Sequence, residues 1–441
     1  METAMNNSGG SFGKFLLLWS GQFISAIGNG LTSFGLSIYV FEQTGRASLM
    51  ALVTLLAFMP SLLLSPVAGV LADRYDRRLL MVLGDSLSML GLIFILICML
   101  GGEAQIWQIC VGVTISSIFS SMLDPAYKAT VTDLLTEEEY TKASGFVQVA
   151  GSAKYLISPI IAGFLLTVVD IKLLLVIDIC TFFVTVASTL AVRKGLISKK
   201  NAQENSFTRE LKEGWDAVSK KRGVLVLVMM SSVLTFFLGF IETLSVPMIL
   251  AFADSAVVGT VETTVATGML VSSVLIGFIP IKKGFIKVLF ISLFCEGIFM
   301  AVFGLRENIV LLCISGFLFF AMMPFANTTL DFLVRTNIDN SVQGRAWSVI
   351  GLISQLGFIA AYTLSGVLAD YVFTPLLVDG GLLADSMGEI IGTGSGRGMG
   401  LLIIIAGILL CVTSVFLYNL KSVKKLENRD GVVTCVLQNN P

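Results

Sequence analysis

Long apolar stretches separated by short polar breaks dominate the chain. A bilayer core about 30 Å thick needs about 20 apolar residues in a helix rising 1.5 Å each. Runs of that kind occur at 14–41, 48–72, 79–101, 105–127, 141–168, 171–193, 223–252, 262–281, 284–305, 308–333, 344–372 and 396–420. The pattern predicts an all-α membrane protein with twelve transmembrane helices. The first run is too long for the apolar region of a signal peptide, and no A-x-A site follows it, so it counts as a span.

One polar stretch interrupts the series between Lys194 and Arg222. It divides the chain into an N-terminal six-helix bundle (1–193), a linker (194–222) and a C-terminal six-helix bundle with a short tail (223–441). Within the linker, Leu211, Trp215 and Val218 fall at i, i+4 and i+7. Two readings stay open: a short amphipathic helix on the membrane surface, or a solvated linker. The halves look related. Pro125 and Gly145 are 20 residues apart, as are Pro324 and Gly344, and each pair brackets the loop after the fourth span of its half. Such internal repeats are expected of a transporter whose site lies between them.

Composition agrees. Hydrophobic residues make up 55% and charged residues 13%, with mean hydropathy +0.88. A soluble globule carries about 25% charged residues. Alternating the spans from an inside N-terminus places 24 Lys and Arg inside and 4 outside, with Lys154 within a span. That bias predicts both termini in the cytoplasm. Net charge is −1, which argues against a nucleic-acid partner, and no His is present. The seven Cys form no C-x-x-C pair and read as packing residues. No metal site, cofactor or nucleophile–base constellation is expected, so an enzyme is disfavoured. A folded sensor domain would not fit in the 29-residue linker.

The segment Gly69–Met81 reads G-V-L-A-D-R-Y-D-R-R-L-L-M. It resembles the loop signature of the major facilitator superfamily, G-x-L-a-D-r-x-x-R-r-x-x-l. The resemblance implies two pseudo-symmetric six-helix bundles and transport by alternating access. It also implies a conformational latch of Gly69, Asp73, Arg77, Arg78, Asp85 and Asp124. Gly69 would permit close helix approach. Asp73 would face the start of the eleventh span, and Arg77 and Arg78 would pair with Asp85 and Asp124. Gly277-F-I-P-I-K-K-Gly284-F-I-K stands where the second half should repeat the motif; it keeps the glycine and basic cluster and lacks the acid.

On the fifth span, Gly145, Ser158, Pro159 and Gly163 are similar to the antiporter motif of drug exporters, which implies export. Lys154, Ser158 and Ala162 stand where that family often has Gly. Trp19–Gly30 (W-S-G-Q-F-I-S-A-I-G-N-G), Thr44–Ser48 and the glycine-rich run at 392–400 resemble the macrolide-efflux branch of the drug:proton antiporters. That branch often carries an acid where this chain has Asn29. The implied activity is proton-coupled efflux of hydrophobic drugs such as macrolides, driven by the proton gradient. The alternative is an exporter or flippase of an endogenous siderophore or lysophospholipid. The setting is the bacterial cytoplasmic membrane. The partners are the bilayer and a small hydrophobic or amphipathic substrate, and the protein is expected to work as a monomer.

If Asn29 cannot carry a proton, other charges within the spans must. A charge at a span centre costs at least about 2.5–3.5 kcal/mol on insertion scales. Lys154, Asp178, Glu242 and Glu296 are the deep ones. Burial favours the protonated carboxyl and a nearby lysine the ionised one, so an acid that alternates between such environments takes up and releases a proton. Asp178 and Glu242 are the leading proton carriers, with Lys154 as charge partner. Glu296 ranks lower, because the ninth helix is peripheral in the family. Gln22, Asn29, Tyr39, Gln148, Tyr155, Phe236, Phe240, Asn327 and Gln355 are the expected cargo contacts: apolar walls with a few polar groups suit bulky amphipathic ligands.

Overall fold

A computed structural model describes residues 9–193, 207–279, 281–339 and 342–427. Among them twelve helices are long and apolar enough to cross a membrane. These spans, one to twelve, are Phe12–Thr44, Ala47–Ala72, Arg77–Leu100, Ile106–Leu134, Gly145–Leu166, Ile171–Arg193, Arg222–Leu250, Ser255–Phe278, Phe285–Phe303, Ile309–Arg335, Gln343–Leu377 and Ser395–Asn419. Span four runs further than its apolar stretch implies. Span eleven passes through a π-helical turn at Ala369–Phe373 before ending.

Several ends are set by local chemistry. The Asp76 side chain caps span three, accepting from the amides of Arg78 and Leu79. Asn308 caps span ten through Leu311 N at 3.1 Å. Thr136 and Glu139 form a capping box before span five. Contacts divide the chain into two units: Met1–Glu204 with Ala253–Thr263, and Asn205–Phe252 with Thr264–Pro441. The first turns of span eight therefore group with the first unit.

In the first unit, glycines every seven residues bring spans one and six together. A Cβ at Gly21, Gly28 or Gly35 would overlap Ser188, Thr181 and Ile171 respectively. Small residues at such a seam let helix backbones approach closely. One end of this unit is an apolar cluster that includes Phe15, Leu18, Met81, Ala126 and Val192. Trp19 ties span one to span five, donating from Nε1 to the Phe146 carbonyl at 2.6 Å. In the second unit, Gly297 of span nine and Gly304 just after it meet Gly407 and Gly400 of span twelve.

The linker contains a helix, Phe207–Ser219. Its contact face differs from the expected stripe. Gly214 lies against the Arg345 carbonyl, Val218 is fully buried and Trp215 is exposed. Glu213 pairs with Arg345, so this helix docks on the start of span eleven.

Candidate functional site

Gly69–Met81 links spans two and three. Arg77 pairs with Asp133 at 2.8 Å and donates to the carbonyls of Ala129 and Ala72, each at 3.2 Å. Its partner is thus Asp133, at the end of span four, and not Asp85 or Asp124. Asp124 is exposed and pairs with Lys128 at 2.7 Å, one helical turn away. Asp76 receives Arg193 Nε at 3.1 Å from the end of span six. The loop is therefore braced to spans four and six of its own half. Arg78 and Asp85 are both buried, and Arg78 Nε and Asp85 Oδ2 make no hydrogen bond. The Asp73 side chain lies outside the described residues.

Among the described residues, no heavy atom lies within 4 Å of a Cβ placed on Gly69, so the expected close approach is not seen there. Gly69→Ala is accordingly expected to fold with a stability change within about 0.5 kcal/mol. Thermal melting of the purified variant checks this.

Of the four intramembrane charges, Lys154 and Asp178 lie in the first unit, and Asp178 is the more enclosed. It is fully buried on span six, facing Gly28 of span one; a Cβ at Gly28 would lie 2.8 Å from its Oδ1. Thr181 Oγ1 donates to the Asp178 carbonyl at 2.7 Å and lies 3.4 Å from Oδ1. Thr32 and Lys154 also act on the carboxyl. Asp178 Oδ2 is buried and makes no hydrogen bond of ordinary geometry. A buried unpaired carboxylate is expensive, so this group must hold a proton, a counter-ion or bound water.

Span five breaks beside Lys154. The helix stops at Leu156 and resumes at Ser158, with Pro159 in the first turn. Side-chain hydroxyls take up backbone carbonyls around the break. Thr263 Oγ1 donates to Leu156 O at 3.1 Å, and Ser255 Oγ donates to Gly163 O at 3.1 Å. Ser158 Oγ donates to Ile27 O at 3.0 Å, fastening span five to span one. Gly163 packs against Gly259, whereas Gly145 has open space around it.

Glu242 and Glu296 lie in the second unit and differ sharply. Glu242 is exposed and accepts a hydrogen bond from Tyr362 Oη at 2.8 Å. Tyr362 stacks near Phe358, with centroids 5.6 Å apart, and Phe236 lies 4.8 Å from Phe240. Glu296 is buried, and its Oε1 makes no hydrogen bond. Burial alone would reverse the order in which the sequence ranks these two acids.

The expected cargo contacts do not form one cluster. Gln22 Nε2 and Gln355 Oε1 are buried without partners, Asn29 is half-buried, and Asn327 and Tyr155 are exposed. Lys154 Nζ lies 5.8 Å from the centroid of the Tyr155 ring. Tyr39 accepts from Gln43 Nε2 at 2.6 Å and lines an open cavity of about 1110 Å³ with Glu42, Glu103, Asp170 and Lys172. The Gln148 side chain lies outside the described residues.

The glycine run at 392–400 starts span twelve. It packs around Arg397, the largest fully buried side chain among the described residues, whose Nη2 donates to Gly304 O at 2.6 Å. Thr32, Thr181, Tyr362, Asp133 and Arg397 were not singled out from sequence. Thr181 alone carried a signal, its i+3 spacing from Asp178.

Twelve apolar helices with acids buried among them, and a braced charged loop between spans two and three, define a multi-spanning membrane transporter. The chain belongs to the Major Facilitator Superfamily, which it matches over residues 18–361. It is 26% identical over 370 residues to macrolide efflux protein A of Streptococcus pyogenes, covering 81% of this chain and 90% of that protein. It is 24% identical over 338 residues to the staphyloferrin A transporter of Staphylococcus aureus, covering 75% and 84%. Among solved structures it resembles the nucleoside transporter NupG, with TM-score 0.74 and 14% identity over 92% of this chain and all of that one. At that identity the likeness concerns the fold.

Proposed function

We propose that this protein is a proton-coupled exporter of hydrophobic or amphipathic small molecules of the macrolide type. It works by alternating access in the bacterial cytoplasmic membrane, with both termini inside. The observation that carries this reading is the Asp178 nest. A fully buried carboxyl with no hydrogen bond of ordinary geometry on one oxygen, and with Lys154 acting on it, has two stable conditions: neutral with a proton, or ionised and balanced by the lysine. Movement at the span-five break would shift Lys154 and exchange one condition for the other. Kinship with a macrolide efflux protein supports the cargo class. Glu242, with its Tyr362 donor, is a second candidate proton carrier, and Glu296 a third.

The charged loop acts as the conformational latch. Arg77 and Asp76 brace it within the first half. A latch of a few kcal/mol biases a two-state equilibrium without freezing it.

A second reading is export of an anionic siderophore. The relative named for staphyloferrin A favours it, as does a lysine within a span, which suits a carboxylate cargo. Purified protein in vesicles with an imposed pH gradient separates the two. Macrolide movement that a protonophore abolishes is the expected result. Movement of a polycarboxylate siderophore without macrolide movement would replace the first reading with the second.

A further inference from the structure

The second copy of the loop has no acid opposite Asp76 either, yet the structure supplies one. Aligning Gly69 with Gly277 places Asp76 opposite Gly284. These two residues are the N-caps of spans three and nine, the third helix of each half. Asp76 Oδ1 accepts from Arg78 N at 3.0 Å, and its Oδ2 takes Arg193 Nε at 3.1 Å. Gly284, at φ +72°, has no side chain to offer the amides behind it. Those amides are met by Glu427. Phe285 N donates to Oε1 at 2.9 Å and Ile286 N to Oε2 at 3.4 Å.

Glu427 ends the tail helix Lys421–Glu427, which follows span twelve directly. That helix is anchored. Val423 is fully buried, Asn337 Nδ2 donates to Leu426 O at 3.4 Å, and Gly223 lies against Ser422 and Leu426. In each half, then, a carboxylate at the start of the third span is tied to the end of the sixth. In the first half the loop provides the acid and span six the arginine. In the second half the segment after span twelve provides the acid, and the loop offers backbone N–H groups. The first amides of a helix have no intrahelical acceptor, and a carboxylate there is favoured by both hydrogen bonding and the helix dipole.

We propose that Glu427 takes the place of Asp76 in the second half, and that the tail helix is a clasp holding the start of span nine. A segment beyond the last span thereby sets how readily the third helix of that half frays or shifts. This holds whatever the transporter carries.

The test is hydrogen exchange of peptides spanning 284–289 in the full-length protein in lipid nanodiscs. Glu427→Ala is expected to speed exchange there at least about tenfold, as loss of a charge-assisted hydrogen bond implies. Removal of the residues after Glu427 should leave it unchanged. Gly284→Asp restores a local acid, and Asp is among the side chains that best tolerate positive φ. Added to Glu427→Ala, it should bring exchange back to within about threefold of the parent. Gly284→Asp alone serves as the folding control. Parental protection in Glu427→Ala would overturn the clasp. Failure of Gly284→Asp to restore protection, with the control folded, would overturn the equivalence of the two acids.

Discussion

Asp178→Asn is expected to abolish proton-driven export while leaving a folded protein. The amide is nearly the same size as the acid and can still accept from Thr181 Oγ1, so the seam between spans one and six persists. It cannot ionise, so Lys154 loses the charge that balances it in one of the two conditions. The variant should therefore retain cargo exchange without a gradient but no longer accumulate cargo against one. Its accumulation ratio should fall to about 1, the value for a carrier with no coupling free energy. Uptake into everted vesicles, followed with and without a pH gradient, reads this directly. If Asp178→Asn keeps full gradient-driven uptake and the same exchange of Glu242 by Gln abolishes it, the proton carrier is Glu242.

Gly357→Val is expected to have the largest effect on stability. Gly357 sits where span eleven crosses span seven, and a Cβ there would overlap the backbone carbonyl of Ser232 and the side chain of Thr235. Backbone cannot step aside as a flexible side chain can, so the helices must separate. Nearby, Ser231 Oγ bonds Ser354 Oγ at 2.6 Å, and Thr235 Oγ1 donates to the Ser354 carbonyl. Separation would break those hydrogen bonds as well. Overpacking costs about 1–3 kcal/mol and the lost buried hydrogen bonds about 1 kcal/mol each, so a loss of roughly 3 kcal/mol or more follows. Thermal melting in detergent should place the variant far below Gly69→Ala, although Gly69 is the glycine that belongs to the family motif. Equal melting temperatures for the two would contradict the packing described here.

These two glycines illustrate what could be read from the chain. Hydropathy located all twelve spans because the apolar requirement of lipid acts on every residue of a span. It could not reveal which face of a helix a residue occupies. Glu242 and Glu296 both read as deep acids; one is exposed beside Tyr362 and the other is buried. That difference is an azimuth about the helix axis, set by tertiary packing. The loop arginines illustrate a second limit. Asp85 and Asp124 were sensible partners by depth, but Arg77 meets Asp133 because span four continues as helix beyond its apolar stretch. The proline of the fifth span acts locally. Proline fixes its own backbone and removes a donor, so a break near Pro159 follows from the residue itself, and Lys154 lies one turn away from it. Tyr362 and Glu427 carried no local sign of their partners, which lie 120 and 142 residues away.

The most direct test of proton coupling through Asp178 is proton movement itself. Purified protein in weakly buffered detergent solution, given saturating macrolide, should release or take up protons stoichiometrically, read by a pH dye. Asp178→Asn should bind the same macrolide without the proton signal. An undiminished proton signal in Asp178→Asn would contradict the proposal and remove Asp178 as the carrier.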